Sequence, residues 1–414
     1  MTHELNSGQI AALEALQRTD NVFLTGAAGS GKSFVLKKYL AVRPEGYRVP
    51  VLASTGAAAI LVGGRTFHSF FGLGIMEGGA RKTIERALLN KRLAKRLRKT
   101  HEVIIDEVSM ISGPQLSAAE AIARQTRDSS TPWGGMRIIA VGDFAQLPPV
   151  NPFSDSKEWA FLDDVWARSA FEPVVLRQVM RASDPEYLAV LNDVREGRVT
   201  ERARGFLNTR SSAAPRGDFT CLFPRRDAVE RHNLQRLASL RHPLHSFETV
   251  YEGKAKDIEA FRKHSPLTDV ISLKKDALVM LRQNDPEGRW VNGSLGHVKK
   301  VSEDLLSIEL LRNRETVEVE HAAFTLLNAD GNPVVTARNF PVSLAWAITI
   351  HKAQGATLDS IRVDLKRAWE PGQAYVALSR ARNPDGLFID GWNASSILAD
   401  PLVTSFHRAL TARG

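Results

Sequence analysis

Apolar positions along the chain fall into two rhythms, and each predicts a different kind of element. Short β-branched runs bounded by glycine or polar residues recur as "NVFLTG", "VPVLAS", "HEVIID", "MRIIAVGD", "FTCLFP" and "LAWAITI", the pattern of strands in a covered sheet. Between them, "SFVLKKYL" and "RRDAVERHNLQRLASL" carry apolar residues at helical spacing, as does the N-terminal "NSGQIAALEAL". Strands that alternate with helices predict an α/β fold built on parallel sheets. One long stretch departs from this. "DALVMLRQNDPEGRWVNGSLGHVKKVSEDLLSIELLRNRETVEVEH" sets short β-rich runs between Asn, Gly and Asp turns, which predicts a small antiparallel barrel. From Arg81 to Lys99, Ile84, Leu88, Leu89, Leu93 and Leu97 lie near helical spacing, so a helix broken near Asn90 is expected there.

Three of the strands end in residues with chemistry. "GAAGSGKS" follows the first and precedes a helix, the context of a phosphate-binding loop. The backbone N–H groups of Gly26, Ala27, Ala28, Gly29, Ser30 and Gly31 turn toward phosphate oxygens, Lys32 reaches the terminal phosphates, and the Ser33 hydroxyl ligates magnesium. "HEVIIDEVSM" ends its strand in paired carboxylates, with Asp106 to hold magnesium and Glu107 to act as general base on water. "MRIIAVGDFAQLPPV" brings Gln146 toward the γ-phosphate at the end of a third strand. Strands that finish on one edge of a parallel sheet are how an α/β protein builds a site. ATP and Mg2+ are therefore the expected cofactors.

Composition narrows the partners. The 414 residues exceed what one core usually serves, so two or three domains are expected. Lysine and arginine total 55 against 46 acidic residues, a net charge of +9 that suits a polyanion. Nine of the basic residues lie between Arg81 and Lys99 with one acidic residue among them. Facing nucleic acid, that helix grips phosphates without reading sequence; facing water, its charges are merely solvated. The single cysteine, Cys221, excludes an internal disulfide framework and a cysteine-rich zinc site, and a cytoplasmic location without any membrane partner is expected.

In order, "GAAGSGKS", "ASTGAAAILVGGRTFHSFFGLG", "IIDEVSM", "GDFAQLPPV", "LAWAITIHKAQGATLD" and "AYVALSRARNPDGL" resemble the motifs of a superfamily 1 DNA helicase. The branch is the one that holds the PIF family, RecD-like proteins and the phage Dda enzyme, and "PWGGMRIIAVGDFAQLPPV" with "WVNGSLGHV" favours the PIF family. The resemblance implies two tandem RecA-like P-loop domains that clamp ATP between them, with a small SH3-like β-barrel inserted in the second. It implies a DNA-dependent ATPase moving 5′ to 3′ on single-stranded DNA and opening tailed or forked duplexes. A monomer in solution is expected, with other replication or recombination proteins as further partners. The expected domains are 1–165, with a wedge-like elaboration at 67–100; 166–255 with 340–414; and the insertion at 256–339.

Residue roles follow from the same resemblance. Arginine fingers act on the γ-phosphate, one at Arg380 in "SRA" and one at Arg181, placed by aligning on "SDPEYLAVLNDVREG"; Ala182 then stands where the family has glutamine, and Arg177 falls in a spacer. Gln9 matches the helicase glutamine that reads adenine. In "HKAQG", Gln354 and Gly355 come near the γ-phosphate, and His351 and Lys352 near DNA. Thr55, Gly56, Thr66, Phe67 and His68 are the DNA contacts of the first domain, although Phe67, Phe70 and Phe71 also have the spacing of core residues. Two other readings remain open on sequence alone: a noncatalytic or weakly catalytic RecD-like DNA-binding subunit of a recombination or nuclease assembly, and a translocase acting on RNA or on protein–DNA complexes.

Overall fold

The computed structural model describes residues 5–44, 49–54, 58–59, 65–74, 76, 78–149, 157–214, 217–262, 265, 267–328 and 330–412. They form two compact units. The first comprises Met1–Met180, Leu326–Val334 and Pro401–Gly414; the second comprises Arg181–Thr325 and Val335–Asp400.

The first unit is built on a six-stranded sheet. Its strands are β1 (Val22–Gly26), β2 (Val51–Ala53), β3 (Arg65–Thr66), β4 (Glu102–Asp106), β5 (Arg137–Val141) and β6 (Glu172–Leu176), in the order β3-β2-β4-β5-β1-β6. Every neighbouring pair is parallel. β1 is buried along its whole length, which is why it reads as an unbroken apolar run. Val22, Leu24, Ile104, Ile139 and Val141 join Val35, Leu36 and Tyr39 of the following helix, and Ala12 and Leu16 of the N-terminal one, in a single core.

Two expectations about the first unit are corrected. Its sheet does not stop near residue 165, because β6 pairs with β1 from Val22↔Glu172 to Gly26↔Leu176. The C-terminal helix (Pro401–Ala412) belongs to this unit rather than the second, because Phe406 joins its aromatic cluster. Phe406 stacks on Phe161 at 4.3 Å between centroids and meets Phe144 edge-on at 5.6 Å.

The second unit has its own four-stranded parallel sheet. It contains β7 (Thr220–Phe223), β18 (Ala347–Thr349), β19 (Ile361–Asp364) and β20 (Leu387–Gly391), in the order β18-β7-β19-β20. Between β7 and β18 the chain runs through antiparallel structure. β8 (His245–Glu248) pairs with β10 (Val270–Leu273), and β9 (Val250–Gly253) with β16 (Pro333–Asn339), next to β15 (Ala322–Leu327). A five-stranded sheet follows, formed by β11 (Leu278–Leu281), β12 (Leu295–Val301), β13 (Leu305–Leu310), β14 (Thr316–Glu320) and β17 (Val342–Leu344), in the order β14-β13-β12-β11-β17. The burial of β13 and β14 alternates with period two, as in a sheet covered on one face. The antiparallel region thus begins near His245, earlier than the expected 256, because β8 and β9 find their partners inside it.

Candidate nucleotide and nucleic-acid sites

β1 runs straight into the glycine-rich loop. At Gly26 (φ +150°) a Cβ would come 2.5 Å from the Leu176 carbonyl oxygen, so β6 can lie this close only to a glycine. Gly31 (φ +93°) precedes the helix Lys32–Ala41 and gives it no side-chain cap, so the positive end of that helix faces the loop. The Lys32 ammonium donates to its own loop, at 2.7 Å to the Gly26 carbonyl and 3.3 Å to that of Ala27. Ser33 is exposed in the first helical turn. The hydroxyls of Thr25 and Ser30 are buried and have no hydrogen-bond partner among the described residues. Buried hydroxyls without partners are costly unless something completes them. An ammonium, a helix start without a side-chain cap and buried hydroxyls around one loop fit a phosphate chain.

The carboxylates stand one strand beyond β5. The Asp106 carboxyl accepts the Glu107 N–H at 3.0 Å; burial raises its pKa, and that N–H and the Lys32 charge oppose the rise. Glu107 has φ +51°, an uncommon conformation for a residue with a side chain, and it turns the chain out of β4. A divalent cation would favour ionised Asp106 further, so the carboxylate and the Ser33 hydroxyl fit magnesium. Gln146 is buried beyond the end of β5, its N–H bonded to the Asp143 carbonyl at 3.0 Å. Gln9 is buried against the loop: Nε2 donates to the Ser30 carbonyl at 3.3 Å, and Oε1 accepts from the Asn6 N–H at 3.2 Å. Loop and N-terminal helix are thereby joined.

The second unit gathers another set. Arg181 donates from Nη1 to the Ser379 carbonyl at 2.9 Å and from Nη2 to the Gly355 carbonyl at 3.4 Å. Burial lowers its pKa, and Tyr375 and Tyr187 oppose the shift. Arg380 is 1% exposed and donates to the carbonyls of Val376, Ala353 and Ala356 and to the Ser379 hydroxyl. Tyr187 was not singled out from sequence, yet its hydroxyl donates to the Leu378 carbonyl at 2.6 Å and fixes the turn that carries both arginines' partners. The tyrosine of "ASDPEY", three residues after Asp184, has no local signal of that role. Arg177, by contrast, is exposed, as its spacer position implies.

The nucleic-acid candidates divide. Thr55 and Gly56 lie outside the described residues. The Thr66 hydroxyl caps the helix Phe67–Phe71 by accepting the Ser69 N–H. Phe67 is corrected: with Phe70 and Phe71 it is fully buried, ring centroids 5.0 Å from Phe71, and has no surface to offer a base. Burial also lowers the pKa of His68. His351 and Lys352 are exposed. Partial desolvation, with Arg282 and Arg226 nearby, pushes the Lys352 ammonium down to about 8 against the pull of Glu230. The basic segment forms two helices, Gly79–Leu88 and Lys91–Lys99, broken where the Asn90 side chain caps the second. Leu93 and Leu97 pack inward, while Lys91, Arg92, Lys95, Arg98 and Lys99 are exposed. No helix among the described residues is long and apolar enough to cross a membrane.

A family model described as PIF1-like helicase matches residues 4–205. A protein of Bdellovibrio bacteriovorus named ATP-dependent DNA helicase Pif1 is 50% identical over 407 residues, covering 98% of this chain and 92% of that protein. A Xenopus laevis protein named ATP-dependent DNA helicase PIF1 is 35% identical over 98% of this chain, which spans 64% of its length. Among solved structures, Bacteroides sp Pif1 in complex with ADP-AlF4 is 28% identical with a TM-score of 0.85, covering 100% of this chain and 98% of that one.

Proposed function

The chain belongs to the PIF1-like helicases, and from that premise we propose how its residues drive an ATP-dependent DNA helicase that tracks 5′ to 3′ along single-stranded DNA. The observation that carries the nucleotide end is the phosphate loop after β1 and the carboxylates after β4, on one edge of a parallel sheet, with buried hydroxyls lacking partners in the loop. Lys32 exchanges the Gly26 and Ala27 carbonyls for phosphate oxygens. Ser33 and Asp106 would hold magnesium, which would neutralise phosphate charge. Glu107 accepts a proton from the attacking water, and Gln146 orients that water against the γ-phosphate. Gln9 reads the adenine edge while tying the loop to the first helix.

In the second unit, Arg181 and Arg380 answer the charge that develops on the γ-phosphate, and Gly355 supplies backbone beside them. A guanidinium in this role contributes roughly 10³-fold or more to turnover. His351 and Lys352 hold the strand, as do Thr55, Gly56, Thr66 and His68 in the first unit. The partners are single-stranded DNA and tailed or forked duplexes; the compartment is the one that holds DNA and ATP, the cytoplasm for a bacterial protein. Unwinding of duplexes with one 5′ tail or one 3′ tail tests the polarity: the 5′-tailed substrate opens and the 3′-tailed one does not. Equal opening of both refutes directional tracking.

A further inference from the structure

Arg282 is a cation placed where an apolar residue is expected. It follows β11, whose four residues are all buried, and is itself 7% exposed. Its backbone N–H donates to the Pro341 carbonyl at 2.7 Å, which fixes its place beside β17. Among the described residues no carboxylate pairs with its guanidinium, whose one side-chain hydrogen bond goes to the Met280 sulfur at 3.2 Å. A buried guanidinium without an anion destabilises the fold that carries it, so packing alone does not account for the residue.

A second cation, Lys352, lies near Arg282. The Gly293 N–H donates to the Leu281 carbonyl at 2.8 Å, and a Cβ on Gly293 would stand 3.3 Å from that of Ala356, so the end of β11 and its loop lie against the turn that follows Lys352. Lys352 feels the charges of both Arg282 and Arg226, with Glu230 as the opposing carboxylate. Arg226 opens the helix Arg226–Ser239, whose cap residue Arg225 makes no side-chain bond to the first turn. That helix packs on β7 and β18, as does the short helix that carries Lys352. On the loop after β11, Trp290 Nε1 and Asn292 Oδ1 are buried without partners among the described residues.

We propose that Arg282, Arg226 and Lys352 form a cradle for one backbone phosphate of single-stranded DNA, with Arg282 as its buried wall. The inference rests on the reading of the chain as a DNA motor. Three cations from three elements, with no cluster of metal-ligating side chains among the described residues, suit a singly charged diester better than a triphosphate.

The test is equilibrium binding of oligothymidylate over a series of salt concentrations, with thermal melting alongside, for wild type, Arg282→Met and Arg282→Lys. In Arg282→Met the slope of log affinity against log salt shrinks by about 0.7, one phosphate contact on a single strand, and low-salt affinity falls about tenfold. Its melting temperature holds or rises, because an unpaired buried charge has gone. Arg282→Lys keeps the slope. Unchanged slope and affinity in Arg282→Met overturn the cradle. If Arg282→Met melts lower, Arg282→Lys decides: a retained slope supports the cradle, and a lost one makes Arg282 structural. Wild type that fails to bind the oligonucleotide removes the motor reading itself, a different outcome from a mutant that binds like wild type.

Discussion

The two arginines of the second unit and the loop of the first treat their polar groups in opposite ways. Around the loop, Lys32 rests on two carbonyls of its own chain and the hydroxyls of Thr25 and Ser30 are buried with no partner. In the second unit, Arg380 is fully buried with four acceptors and Arg181 holds the carbonyls of Ser379 and Gly355. One site carries unmet hydrogen-bonding capacity, and the other has its donors engaged by the scaffold. A phosphate can therefore be received by the loop with little rearrangement, whereas either guanidinium of the second unit takes a new partner only by leaving a carbonyl. Arg181, with two acceptors, is freer to do so than Arg380, so we assign it the larger share of the finger's work.

The largest expected effect breaks the comparison at the arginines. Arg181→Ala lowers DNA-stimulated ATP turnover by roughly 10³-fold while Arg177→Ala, at an exposed spacer position, changes it less than about twofold, as measured by steady-state phosphate release. Equal losses in both would sink the assignment to Arg181. A smaller effect sharpens the comparison at the loop. Ser30→Ala removes a buried hydroxyl that lacks a partner, so its melting temperature without nucleotide holds or rises, while ATP affinity by titration falls a few-fold. A drop in melting temperature without nucleotide would show that the hydroxyl is already satisfied.

The same contrast explains what the sequence made legible. The loop and the carboxylates could be read because each is a local string: glycines, lysine and serine in one turn, and two acids ending one apolar run. The break at Asn90 was legible for the same reason, as a capping side chain between two amphipathic stretches. Long-range pairing was not. "EPVVL" looks like the start of a new domain until it pairs with β1, and nothing in "PLVTSFHRAL" says that Phe406 stacks on Phe161. Phe67 had the spacing of both a core ring and a base contact, and only its burial separated the two. Arg282 left a faint trace, a charge closing the run "ALVML", but its lack of an anion is a property of the packed neighbourhood.

The central claim is that this chain couples the loop's chemistry to single-stranded DNA. It is tested most directly by steady-state ATP hydrolysis with and without single-stranded DNA, for wild type beside Lys32→Ala. The account predicts strong stimulation by DNA in the wild type and its loss, by about 10³-fold or more, in the variant. Hydrolysis that ignores DNA in the wild type, or survives in Lys32→Ala, would contradict it.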